Sequence, residues 1–101
     1  MQVLLIHGLA RTSLSLAILE GRLKQAGHST EHFGYFAFAE NFDHIVERLK
    51  HQLSALANRG SYAVVAHSLG GILTRAALAT GHIRHPDHVV MLGPPNQPPR
   101  L

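Results

Sequence analysis

Ser68 is the residue of this sequence whose setting points most directly to chemistry. It follows an apolar run at residues 63–66, and a helical pattern begins almost at once after it. This order predicts a strand, a sharp turn and a helix, with the serine at the apex. The residues two positions away, Ala66 and Gly70, are small, as a strained turn requires. The N–H of Leu69 then lies at a helix N-terminus, where negative charge is stabilised.

The plain alternative is that Ser68 caps a helix after a strand, because serine is a favoured N-cap residue. A second apolar run that ends in polar residues favours a functional site instead. The first apolar run, residues 3–6, lacks alternation, as in a strand covered on both faces, and it ends at His7 and Gly8. Alone, His7-Gly8 is an ordinary strand-ending turn. Ligands of open α/β sheets bind beyond the carboxyl ends of the strands, and both polar endings lie at such ends.

The elements that position these residues alternate along the chain. Strands are predicted at residues 3–6, 30–35, 62–66 and 88–92. Helices are predicted to end at Gly27, Gly60 and Gly81, and Asn41 is predicted to cap the second of them. The third helix carries Ile72 and Leu73 in its apolar pattern, and Gly70-Gly71 is predicted to allow close helix–strand packing. The sequence therefore predicts an α/β fold in which about four parallel strands carry helices on both faces.

Three motifs resemble the α/β-hydrolase family, in its lipase- and esterase-like branch. They are residues 5–9, Leu-Ile-His-Gly-Leu; residues 66–71, Ala-His-Ser-Leu-Gly-Gly; and residues 91–97, Met-Leu-Gly-Pro-Pro-Asn-Gln. The second is similar to the nucleophile elbow G-x-S-x-G, with alanine in the first glycine position. The resemblance implies a serine hydrolase acting on carboxylic esters, including lipid esters.

The same resemblance assigns roles to residues at the two strand ends. It makes Ser68 the nucleophile and the backbone N–H groups of Leu69 and Leu9 the oxyanion donors. It places His7, Gly8 and His67 beside the substrate, with Gly8 permitting its close approach. In the family the triad acid and histidine follow later strands, in the order Ser, acid, His. This sequence has neither at a matching position. We therefore expect residues 1–101 to be one truncated domain, the N-terminal half of a hydrolase.

In the alternative interpretation, the chain has the same fold but no catalytic activity. The chain would then be a catalytically silent fragment or a binding module that self-associates through the open edge of the sheet after its last strand. Could other histidines supply a base or hold a metal? His82, His85 and His88 are expected at the opposite edge of the sheet, as solvated loop residues, and no metal site is expected.

Composition excludes several other classes of protein. The formal net charge of +3 comes without a basic run or an aromatic-interleaved patch, so nucleic acid is not an expected partner. The chain has no cysteine and therefore no disulfide. It lacks the glycine-rich dinucleotide pattern and the P-loop lysine, so no cofactor is expected. It also shows no transmembrane run and no signal peptide, which leads to the expectation of a cytoplasmic protein.

Overall fold

The computed structural model describes residues 1–8, 14–36, 39–67 and 69–92. Strands and helices alternate along the chain, which confirms the predicted α/β class. In order, they are β1 (Gln2–Gly8), α1 (Leu14–Gln25), β2 (Ser29–Tyr35), α2 (Phe42–Arg59), β3 (Tyr62–His67), α3 (Gly70–Gly81) and β4 (His88–Leu92).

The four strands form one sheet in the order β2-β1-β3-β4, and every pair is parallel. Val3 of β1 lies opposite Thr30 of β2 on one side and Ala63 of β3 on the other. Because the strands are parallel, their carboxyl ends share one edge of the sheet. The polar endings of β1 and β3 therefore lie at one edge, as predicted, and the pairing of these two strands makes them neighbours.

Helices cover both faces of the sheet. On one face, Leu16 of α1 packs against residues that alternate along β1 and β3, namely Val3, Leu5, Ala63 and Val65. On the other face, α2 and α3 cover the intervening residues. The buried members of this larger cluster include Leu4, Ile6, Phe33, Ile45, Leu49, Leu53, Leu56, Val64, Leu73 and Ala77. The prediction of helices on both faces is confirmed, with α1 on the first face and α2 and α3 on the second.

The helices end at the predicted glycines or within two residues of them, α1 at Gln25, α2 at Arg59 and α3 at Gly81. Asn41 caps α2, its side chain accepting the Asp43 N–H at 2.9 Å, as predicted. At the end of α3, the left-handed residue is His82, with φ of 51°, and the helix runs through Gly81. Gly81 is small for a different reason, because a Cβ there would lie 2.7 Å from Cδ1 of Ile83. Its role is close packing.

Within the part of the chain that the structure describes, no helix is both long enough and apolar enough to cross a membrane.

Candidate active site

At the carboxyl ends of β1 and β3, the chain leaves two neighbouring strands toward opposite sides of the sheet. From β1 the chain passes to α1 and then to β2 on one side, and from β3 it passes to α3 and β4 on the other. Since α1 and α3 lie on opposite faces, the carboxyl ends of β1 and β3 form a topological switch point, where a crevice is expected. Such switch points are where open α/β sheets bind ligands. We call this place the β1–β3 crevice; it lies between His7-Gly8 and His67-Leu69.

Two of the predicted site residues, Ser68 and Leu9, lie outside the described residues. The elements that flank Ser68 are defined. β3 ends at His67 and α3 begins at Gly70, with Leu69 at the N-cap position. Leu69 has helical dihedral angles (φ of −61°, ψ of −19°), and its carbonyl accepts the N–H of Leu73 at 3.1 Å. The helix therefore starts directly after the strand, as the sharp-turn prediction requires of these flanking elements.

The first turn of α3 packs directly on the sheet. A Cβ on Gly70 would lie 2.8 Å from Cγ2 of Ile6, and one on Gly71 would lie 3.0 Å from Sδ of Met91. Both distances are shorter than ordinary van der Waals contact. The predicted close helix–strand packing is confirmed, with Gly70 against β1 and Gly71 against β4. The N-terminus of α3 is thereby fixed at the carboxyl edge of the sheet, beside β1.

Tyr35 packs beside Gly8 at the carboxyl edge of the sheet. It ends β2 opposite Gly8, its side chain is 3% exposed, and its ring would be 3.9 Å from a Cβ on Gly8. Burial raises the pKa of the Tyr35 phenol, and a hydrogen bond donated by the Gly70 backbone N–H acts in the opposite direction. Tyr35 thus links β2 to the start of α3. Its position at a strand end was the only sequence signal for this role.

His7 and His67 lie on the face of the sheet covered by α1, by alternation from Leu5 and Val65. His7 is 5% exposed and His67 is partly buried. Nε2 of His7 lies 3.1 Å from Nδ1 of His32, and Nε2 of His32 lies 2.9 Å from Oε2 of Glu20. No local pattern in the sequence predicts this connection, because the three residues come from β1, β2 and α1 and meet only in the fold.

The remaining histidines considered as ligands lie away from the crevice. His82, His85 and His88 are exposed and lie in or at the end of the connection from α3 to β4. That connection leads into the amino end of β4, at the opposite edge of the sheet. Among the residues the structure describes, no group of three or more histidine or acidic side chains is arranged to hold a metal ion.

Comparison with known proteins adds no relative to this picture: no family model, no curated protein and no solved structure matches the chain.

Proposed function

We propose that the chain is a serine hydrolase of the lipase or carboxylesterase type, related to the α/β-hydrolase family, with Ser68 as its nucleophile. The observation that carries this proposal is the passage from β3 to α3 at the switch point. The strand ends at His67, the helix begins at Gly70, and Ile6 leaves no room for a side chain on Gly70. A residue between such elements is expected at the carboxyl edge of the sheet, where a nucleophile elbow presents its serine.

The chemistry proposed is acyl transfer. Attack on the ester carbonyl produces a tetrahedral intermediate with negative charge on the former carbonyl oxygen. The Leu69 N–H is supplied by the start of α3, and the segment that contains Leu9 leaves the adjacent strand β1. Two such donors are expected to stabilise the oxyanion, each contributing about 3 kcal/mol to lowering the barrier. The dipole of α3 adds a favourable potential for negative charge at its N-terminus.

The substrate proposed is an ester with an apolar acyl or alcohol group. Four large apolar side chains are exposed in elements that adjoin the carboxyl edge of the sheet: Leu14, Phe36, Phe42 and Ile72. Leu14 begins α1, Phe36 follows β2, and Phe42 begins α2. Exposed apolar side chains in elements at the edge where a sheet of this kind binds its ligand favour an apolar ligand. Neither acyl-chain length nor the alcohol is specified by these four residues.

A second candidate function is a binding module without catalysis, and the outer edge of β4 favours it. Within the described residues, β4 pairs only with β3, and Val89, Val90, Met91 and Leu92 are all partly exposed. An unpaired strand with apolar side chains is a template for association with another chain. This function requires no activated Ser68, so the reactivity of that hydroxyl distinguishes the two candidates.

Labelling with a fluorophosphonate probe tests the proposed function. The wild-type chain is expected to form a covalent adduct, detected by intact mass, and Ser68→Ala is expected to form none. Ser15→Ala, which changes an exposed serine on α1, is the matched control and should label like the wild type. Absence of an adduct in a wild-type chain shown to be folded by circular dichroism would reject the hydrolase and leave the binding module.

A further inference from the structure

Helix α1 carries apolar side chains on two opposite sides. Toward the sheet it packs three leucines that recur at helical spacing: Leu16, Leu19 and Leu23. The other side exposes four uncharged residues that recur at the same spacing: Leu14, Ala17, Ile18 and Gly21. We call these four residues the outer stripe of α1. Leu14 is 77% exposed and Ile18 is 51% exposed, so the outer stripe holds two large apolar side chains in water.

The long helix α2 shows a different pattern. Its buried side is apolar, and its exposed side carries polar and charged residues that include Asp43, His44, Glu47 and His51. Both helices pack on the same sheet, so packing on the sheet does not account for the outer stripe of α1. A helix that is apolar on all sides is typical of one that is covered on all sides. We therefore expect the outer stripe to contact a partner.

Two cations border the outer stripe. Arg22 follows Ile18 by four residues, and Lys24 follows Ala17 by seven residues. At 3.6 residues per turn, these spacings place Arg22 along one border of the stripe and Lys24 along the other. Both side chains are exposed, and both lie in the last turn of the helix. The partner of the outer stripe therefore meets positive charge on both sides of an apolar surface.

The acidic residue of α1 is engaged on the side that faces the sheet. Glu20 is the only acid between residues 14 and 25. Its Oε2 accepts from Oγ1 of Thr30 at 2.6 Å and lies 2.9 Å from Nε2 of His32, both on β2. Lys24 lies 3.6 Å from the same oxygen, yet its side chain remains 62% exposed. An exposed ion pair of this length neutralises little of the lysine charge toward the solvent.

This charge pattern selects among the partners that could cover the outer stripe. Two copies of α1 packed against each other would bring four cations together, with no free carboxylate in either helix to offset them. An anionic lipid surface complements both parts of the pattern, because apolar side chains enter the acyl boundary while arginine and lysine reach the headgroups. With 12 residues, α1 is about 18 Å long and would lie on such a surface.

We propose that the outer stripe of α1 docks the protein on an anionic lipid surface, with Arg22 and Lys24 against the lipid phosphates. Two large apolar side chains and two cations give weak and reversible adsorption that salt opposes. This inference goes beyond the proposed function and does not depend on Ser68.

Flotation with lipid vesicles tests the proposal. The wild-type chain should float with vesicles of phosphatidylcholine that contain about a third phosphatidylglycerol, and not with phosphatidylcholine alone. Added salt should lower the floated fraction. Ile18→Gln should lower the partition coefficient by about tenfold, because it removes an apolar side chain from the acyl boundary. Arg22→Gln and Lys24→Gln should each lower it by about fivefold.

Matched controls come from α3, on the opposite face of the sheet. Ile72→Gln changes an isoleucine that is 60% exposed, and Arg75→Gln changes an exposed arginine one turn further along the same helix. Both variants have the chemistry of the α1 variants at a different place and should float like the wild type. All five substitutions are at solvent-accessible positions, so circular dichroism and the thermal unfolding midpoint should stay close to those of the wild type.

Three outcomes would overturn the proposal. The first is a folded wild-type chain that does not float with the anionic vesicles. The second is an equal loss of flotation in Ile18→Gln and Ile72→Gln, which would make binding a general effect of exposed apolar side chains. The third is a fall in molar mass, measured by light scattering, in Ile18→Gln with flotation unchanged, which would identify a second copy as the partner. Fluorophosphonate labelling in solution is independent of each outcome, so this proposal and the proposed function fail separately.

Discussion

Cγ2 of Ile6 lies where a side chain on Gly70 would have to begin. A Cβ built on Gly70 falls 2.8 Å from that atom, 3.3 Å from the Ile6 Cβ and 3.3 Å from the Ile6 carbonyl oxygen. Two of these three atoms, the Cβ and the carbonyl oxygen, belong to the rigid part of a fully buried residue. The absence of a side chain at residue 70 is therefore what lets α3 begin against β1.

Gly70→Ala should displace the start of α3 and destabilise the protein. Overpacking of this kind costs typically about 1–3 kcal/mol, and the free energy of unfolding measured in urea should fall by that amount. Gly21→Ala is the matched control. Gly21 is an exposed residue of α1 with no atom within 4 Å of a built Cβ. Alanine there should raise the stability by up to about 1 kcal/mol. Equal stabilisation by both changes would contradict the packing argument.

The C-terminus of α2 is stabilised by an arginine from outside the helix. Nη2 of Arg84 donates to the carbonyl oxygens of Ala57 and Gly60, each at 2.6 Å. Arg84→Ala leaves both carbonyls to water and should lower the free energy of unfolding by about 1 kcal/mol, since the bonds are exposed. Arg75→Ala, which removes the same charge from an exposed site on α3, should change it by less than about 0.5 kcal/mol. A larger loss for Arg75→Ala would indicate a general charge effect.

Much of the fold was predictable because its signals are local. The Asn41 cap, the glycine ends of the helices and the unbroken apolar runs each reflect the backbone within a few residues. Which strands pair is a different matter, since it depends on residues far apart in the chain. Ile72 illustrates the limit. It was predicted in the apolar pattern of α3, yet it is 60% exposed at the rim of the crevice.

The candidate site was predictable only in part, for the same reason. His7, Gly8 and His67 could be assigned to strand ends at one edge of the sheet, whereas the pairing of β1 with β3 that makes them neighbours is seen only in the structure. The contact between Glu20 and His32 could not be anticipated, because it depends on how α1 lies against β2. The roles of Ser68 and Leu9 stay predictions, as both residues lie outside the part of the chain described.

Acid should break the hydrogen bond between Phe36 and Glu40, in the connection between β2 and α2. It should do so at a pH below the ordinary pKa of a glutamate side chain. The Phe36 N–H bond to Oε2 of Glu40, at 2.8 Å, is the main cause that lowers the pKa of this carboxyl, and the charge of Arg48 adds to it. A lowered folded pKa means that the stabilisation is complete above the ordinary value of 4.5 and is lost as pH falls through the lowered value.

The amide proton shift of Phe36, followed by NMR during acid titration, measures this directly. Its midpoint should lie below 4.5 in the wild type and rise in Arg48→Met, which removes the guanidinium bonds to Glu40 at 2.8 and 3.0 Å. Glu40→Gln should abolish the titration. A midpoint that Arg48→Met leaves unchanged would show that the arginine does not act on Glu40.

Alkaline pH should destabilise the protein by ionising its two tyrosines, Tyr35 and Tyr62. Burial is the largest cause that raises the pKa of both Tyr35 and Tyr62 above 10.0. A raised folded pKa means that their stabilisation is complete below pH 10 and is lost as pH rises through the raised values. Tyr62→Phe should cost about 1 kcal/mol at neutral pH, because the hydroxyl donates to the Arg84 carbonyl. The cost should shrink above pH 10.

Tyrosinate absorbance in Tyr62→Phe then reports Tyr35 alone, and a midpoint at or below 10 would contradict its burial.

Self-association should occur through β4 rather than through β2, the other edge of the sheet. Residues 89–92 carry no charge and are partly exposed, whereas β2 carries Glu31 and His32, and Arg59 is bonded to Glu31. Charged side chains protect an edge from pairing with another chain. We expect the molar mass from light scattering to rise with concentration toward that of a dimer. Val90→Lys should keep it at 11.0 kDa, while Ser29→Lys, on β2, should not. A wild-type chain that remains monomeric at every concentration would exclude the β4 edge as an interface.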